Sequence, residues 1–185
     1  MARASMNPGD GSDPLGRELD GYYLWIRDAR RRIRPRNQAN PGIMDWSWPL
    51  HRAHILAGSC LVLIGPDPAT IYPPASWREL AGTLRGELRY VEDLLRRRKA
   101  TAYCVLNLCR ILYSLRTRDV VVSKSGAATW ALRTLPDEFR PVIQAAVDVY
   151  RGRRAEASMV VLRRSALRLR RFVRAQVRPL PRRPR

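Results

Sequence analysis

Disulfide and metal chemistry find little to work with in this chain of 185 residues, which holds two histidines and three cysteines, Cys60, Cys104 and Cys109. An odd cysteine count without a CxxC pattern gives neither a disulfide framework nor a zinc site, so the thiols are expected to be reduced and buried and no metal ligand is assigned. Long apolar runs are also lacking. The run Cys60 to Ile64 is five residues, against the roughly 20 that a membrane helix needs, so no membrane partner is expected. The opening MARASMNPGDGSDP has no apolar signal core and no dense basic presequence, which makes the cytoplasm the expected location. Acids are scarce as well: 16 Asp and Glu face 35 Lys and Arg, for a net charge of +19.

The positive charge is concentrated at one end. Residues 151–185 hold thirteen arginines and one acid, Glu156. A run of this kind is an electrostatic footprint for nucleic acid or for an anionic membrane. It also contains Leu162, Ala166, Leu169, Val173 and Val177 at spacings of three and four, the stripe of a helix that packs on one side. A basic packed terminal helix with a loose Pro-Arg end is the competing reading.

Along the chain, residues 1–17 are rich in Gly, Pro, Asp and Ser and read as disordered. Leu19–Ile26 (LDGYYLWI) is β-rich and gives way to a loop with turn signals at Pro35, Asn40-Pro41 and Gly42. From Asp45 on, the periodicity predicts helices over 47–63, 76–98, 101–117, 125–135, 138–152 and 155–177. Ser76 with Glu79 three residues later has the pattern of a capping box. The fold class is thus mainly α, an up-down helical bundle preceded by one β-strand with no partner of its own.

Three side chains stand out within the bundle. Arg110 lies on a largely apolar helix, with Val105, Leu108, Leu112 and Leu115 as its core stripe and Tyr103, Asn107, Arg110 and Ser114 on the opposite side. A guanidinium there needs a counter-charge, and periodicity alone favours a neighbouring carboxylate over a phosphate. Lys124 stands just before a helix opening at Ser125-Gly126, where backbone N–H groups and the positive dipole end favour an anion; a solvated lysine beside a serine cap fits the same pattern. Tyr150 lies near the end of the fifth helix and would serve for base stacking or for packing.

The run Y-x-VLNLCRILYSL, a loop, SK-x4-TWAL-x2-LP-x-EFRPVI-x5-VY-x-G, spanning Tyr103 to Gly152, resembles the C-terminal domain of the aminoglycoside adenylyltransferases that modify streptomycin and spectinomycin. It resembles still more closely the uncharacterised actinobacterial relatives of that family. The likeness extends more weakly upstream through WSWPLHRAHILAGSCLVLIGPDPATIYPP and downstream through RFVRAQV, covering nearly everything after residue 18. It implies that Arg110 and Lys124 bind the phosphates of ATP and that Tyr150 packs at the nucleotide. It aligns Asp20 with the general base of the family's catalytic domain, which is usually Glu. Substrate contacts would fall on Trp46 or Trp48, and Tyr103 stands where drug-modifying members have a His.

On this resemblance residues 18–44 are a remnant of a nucleotidyltransferase domain plus a loop, 45–178 the helical adenylyltransferase domain, and 179–185 a basic tail. A nucleotidyltransferase also needs a Gly-Ser turn followed by an Asp-x-Asp pair that holds Mg²⁺. Gly58-Ser59 does not qualify, since it falls in a helical segment and only Asp67 follows it. The expectation is a truncated family member. Its full-length form would use ATP and Mg²⁺ to transfer AMP to a hydroxyl of an aminoglycoside or similar cation, an antibiotic-resistance activity. This chain alone would bind no Mg²⁺ and catalyse nothing, and its exposed Leu24 and Trp25 would mark the surface of the absent domain. The alternative is a non-enzymatic basic protein that binds nucleic acid through its Arg-rich C-terminal helix. A helical-bundle RNase is disfavoured because His51 and His54 lie far from any Arg-His motif.

Overall fold

A computed structural model describes residues 21–37, 40, 42–97, 101–153 and 155–177. The segment 1–17, Asp20 and the basic tail 179–185 lie outside the described residues. The chain divides into two compact units, Met1–Ala75 and Ser76–Arg185.

The first unit is built of short elements. Strand β1 (Tyr22–Tyr23) pairs antiparallel with β2 (Arg36–Asn37), placing Tyr22 opposite Asn37 and Tyr23 opposite Arg36. This corrects the expectation of an unpartnered strand: the basic loop folds back after helix α1 (Ile26–Arg30) and supplies the second edge itself. Leu24 is half-buried, whereas Trp25 is 66% exposed.

Helix α2 covers Trp48–Leu56 and not 47–63. Gly58 has φ 81, its N–H donates to Ile55 O at 3.0 Å and the Ser59 N–H donates to His54 O at 2.9 Å. Those two bonds satisfy the last carbonyls of the helix by a left-handed glycine stop. The apolar run that periodicity alone continues into the helix is therefore released, and Leu61, Leu63 and Ile64 are 83%, 83% and 96% exposed. Cys60 is exposed too, against the expectation of a buried thiol. A further short helix, α3 (Pro68–Ile71), is capped by the Asp67 carboxylate, which accepts from Ala69 N at 2.8 Å.

The second unit is a bundle of five helices: α4 (Trp77–Arg96), α5 (Thr101–Thr117), α6 (Lys124–Thr134), α7 (Arg140–Tyr150) and α8 (Glu156–Gln176), with a 3-10 turn at Asp137–Phe139 before α7. The predicted capping box starts α4. Ser76 N donates to Glu79 Oε2 at 2.8 Å and Ser76 Oγ accepts from Glu79 N at 3.3 Å. Leu80, Leu84, Leu88, Val91 and Leu95 then recur at three and four and are buried, each side chain contributing about 2 kcal/mol of transfer free energy.

Helix α5 is the hub and packs against α4, α6, α7 and α8. Surrounded in this way, it buries Cys104 through Cys109, Ile111, Leu112 and Ser114. The clean division into a core stripe and a polar face is thus not observed. Asn107 is buried, with its amide donating to Tyr103 O at 3.0 Å. The buried Ser114 hydroxyl has no hydrogen-bond partner. Among the polar residues expected on that face, only Tyr103 and Arg110 reach the surface.

Candidate phosphate site

Helix α6 begins one residue earlier than its pattern suggested. Ser123 is the cap, its Oγ accepting from Gly126 N at 2.9 Å, so Lys124 becomes the first residue of the helix. A Cβ at position 126 would stand 3.2 Å from that Oγ and 3.3 Å from Val122 Cγ2, which fits glycine to this tight entry. The first turn carries no acid.

From that position the Lys124 ammonium reaches between two aromatic rings. Its Nζ lies 5.4 Å from the centre of the Tyr103 ring, at the start of α5, and 5.9 Å from that of Tyr150, the last residue of α7. Both are distances at which a cation is attracted by a ring face. Burial lowers the Lys124 ammonium below the ordinary lysine range, and the charge of Arg110 lowers it further. Burial raises the Tyr103 phenol, Glu87 and Tyr90 add to the rise, and Arg110 opposes it. Arg110 is therefore within electrostatic reach of both side chains.

Among the described residues no carboxylate forms an ion pair with Arg110 or Lys124. Lys124 stands at the positive end of the α6 dipole, and the nearby charge of Arg110 makes its ammonium less favourable still. This is the arrangement that a bound anion relieves, and the donors suit phosphate oxygens: a planar guanidinium and a compact ammonium. The two tyrosines add ring faces, and Tyr150 is 59% exposed.

Arg110, Lys124, Tyr150 and Tyr103 are thus brought together from three helices. Trp46 and Trp48 belong to the first unit. Trp46 is 66% exposed, with the Arg34 guanidinium 4.3 Å from its ring centre. Trp48 is buried and meets Tyr72 edge-on at 5.2 Å, a core contact. Asp20 lies outside the described residues. Glu87, on α4, escaped the sequence reading, and Tyr90 on the same helix makes no convincing counterpart there to the family's substrate contacts, although both act on Tyr103. Their only signal was a position off the leucine stripe of α4, which many solvated residues share.

Among the described residues no group of three His, Cys, Asp or Glu side chains is arranged to hold a metal ion. Nor is any helix among them long and apolar enough to cross a membrane.

Residues 73–176, more than half of the chain and nearly coincident with the five-helix unit, match the model of the family described as aminoglycoside adenylyltransferase, C-terminal domain. Among curated proteins, an aminoglycoside (3'') (9) adenylyltransferase of Rhizobium radiobacter is 29% identical over 96 residues, which are 52% of this chain and 35% of that protein. The chain therefore spans about a third of the length of the curated relative it matches. With that family match covering more than half of the chain and coinciding with the five-helix unit, the chain belongs to the family of aminoglycoside adenylyltransferase C-terminal domains.

Proposed function

We propose that the five-helix unit is the phosphate-binding half of an adenylyl-transfer site. Arg110 and Lys124 hold the phosphates of ATP, and Tyr103 and Tyr150 flank them at the mouth. In the reaction, a hydroxyl of an aminoglycoside or similar small cation attacks the α-phosphorus and the bond to pyrophosphate breaks. Charge then develops on the departing phosphates, where a guanidinium and an ammonium are best placed to stabilise it. The hydroxyl proton goes to a general base, for which the sequence offers Asp20. Magnesium, when bound, neutralises phosphate charge. Among the described residues no group of carboxylates fits it.

The observation that supports this reading is a pair of cations, Arg110 and Lys124, without a carboxylate partner among the described residues and with the lysine between two tyrosine rings. On this reading the chain alone binds ATP weakly and transfers nothing, and the cytoplasm is its proposed location. Calorimetric titration without magnesium should give a dissociation constant no tighter than about 1 mM, roughly −4 kcal/mol. Arg110→Ala should abolish the signal. Equal ATP affinity in wild type and Arg110→Ala would refute the site, and AMP transfer to streptomycin by this chain alone would refute its inactivity.

A further inference from the structure

Helix α8 carries a second positive feature that the ATP site does not use. Its apolar stripe, Leu162, Ala166, Leu169 and Val173, is buried in the bundle. On the exposed side stand Arg163, Arg164, Arg168, Arg171 and Arg174, with Leu167 among them. Arg168 is paired with Glu138, and Arg174 reaches Glu92 at 3.4 Å. Arg163, Arg164 and Arg171 have no carboxylate partner among the described residues.

At about 100° per residue, Arg163 and Arg174 fall within about 20° of each other, and Arg164, Arg168 and Arg171 within about 60°. The two rows are separated by about 100° of helix circumference, with Leu167 between them. Over its 21 residues α8 extends about 30 Å at 1.5 Å per residue. It is a rigid rod with a guanidinium row along each flank of its outer face.

We propose that this face is a docking surface for duplex DNA, read through its phosphates and independent of base sequence. A helix about 10–12 Å across matches the major groove of B-form DNA, about 12 Å wide, so each arginine row meets the phosphates of one strand. An RNA duplex fits less well, because its major groove is deep and narrow. A lipid surface fits less well because the apolar stripe that would enter the bilayer is already buried in the bundle. Single strands need exposed rings for stacking, and Phe172, the one aromatic on α8, packs on Phe139 at 4.8 Å.

The test is fluorescence anisotropy of the full chain with a labelled DNA duplex of about 20 base pairs over a salt series. Three arginines without a carboxylate partner give a slope of log affinity against log salt near −2.7, so affinity falls on the order of 40-fold between about 50 and 200 mM salt. The triple variant R163Q/R164Q/R171Q, whose fold is checked by circular dichroism and ATP binding, should bring the slope close to zero. A chain ending at Arg178 should keep most of the wild-type slope. The proposal is overturned if the triple variant keeps that slope, or if removing the tail alone abolishes binding. It is equally overturned if an RNA duplex, single-stranded DNA or vesicles of phosphatidylcholine and phosphatidylserine bind more tightly than the DNA duplex.

Discussion

The two units of this chain bury apolar surface very differently. In the unit Met1–Ala75 the described buried apolar core residues are Ala29, Trp48 and Leu50, while Tyr22, Tyr23, Trp25, Ile26, Ile33, Ile43, Trp46 and Leu61–Ile64 are exposed. In the unit Ser76–Arg185 four long helices surround α5 and bury its residues almost completely. The contrast shows what makes a helix legible. A long helix with a buried face has a period that a reader can see, and its neighbours hold the chain to it. The short elements of the first unit are bounded instead by local hydrogen bonds, such as the one at the Asp67 cap and the two at the Gly58 stop.

The largest difference should appear in thiol reactivity. Cys60, in the first unit, is exposed, whereas Cys104 and Cys109 are 0% exposed on α5. Burial pushes the Cys104 thiol up to about 11 and that of Cys109 up to about 12, so the reactive thiolate is rare even where reagent arrives. Labelling of the native chain with a disulfide reagent should modify Cys60 at once. Cys104 and Cys109 should react only through opening of the bundle, more than about 100-fold more slowly. Three equally fast thiols would erase the contrast between the units.

Core truncation comes next. Leu108→Ala removes a fully buried side chain from the hub and should destabilise the bundle by about 2–5 kcal/mol in denaturant unfolding. Leu63→Ala removes one that is 83% exposed and should change stability by less than about 0.5 kcal/mol. A cost for Leu63→Ala comparable to that of Leu108→Ala would show that the exposed run is packed in solution.

Legibility follows the same division. Helix α5 runs over Thr101–Thr117 as its pattern predicts, and the ends of α4, α7 and α8 fall within about two residues of expectation. Two features escaped. Gly58 reads as an interruption that a helix might absorb, and only its left-handed backbone makes it a stop. The burial of Asn107 and Ser114 follows from α5 having neighbours on every side, which one helix's periodicity does not disclose. At the candidate site, periodicity alone favours a carboxylate over a phosphate as the partner of Arg110. The structure leaves it without a carboxylate among the described residues and adds Tyr103 to the lysine's surroundings, which spacing alone did not indicate.

Caps separate the units on a smaller scale. Ser76→Ala removes the Oγ that accepts from Glu79 N at the start of the 20-residue α4, leaving the bond from Ser76 N to Glu79 in place, and should cost about 1 kcal/mol of global stability. Asp67→Ala removes the cap of α3, which buries no residue, so its effect should stay local, seen as faster amide exchange over Ala69–Tyr72 without a shift of the main unfolding transition. A global loss from Asp67→Ala as large as that from Ser76→Ala would mean that the first unit unfolds with the second as one cooperative body.

The smallest stability effect carries the sharpest sign. Lys124→Met removes a half-buried cation that stands beside Arg110 at the positive end of α6. The variant should be as stable as wild type at neutral pH or slightly more so, within roughly 0.5 kcal/mol, while losing the weak ATP affinity. The pH dependences oppose each other. A lysine whose folded pKa lies below its unfolded value lowers stability while it is protonated in both states. That deficit fades as pH rises from the folded pKa to the unfolded one. ATP affinity, by contrast, is complete while Lys124 is protonated and falls as pH climbs through its lowered pKa, earlier than an ordinary lysine would allow. Wild type should therefore gain stability on the variant with rising pH over the interval in which it loses ATP. Greater stability of wild type at neutral pH would instead mean that the ammonium is held by favourable contacts without a ligand, and the Tyr103 and Tyr150 rings would then be its structural partners and not the walls of a phosphate site.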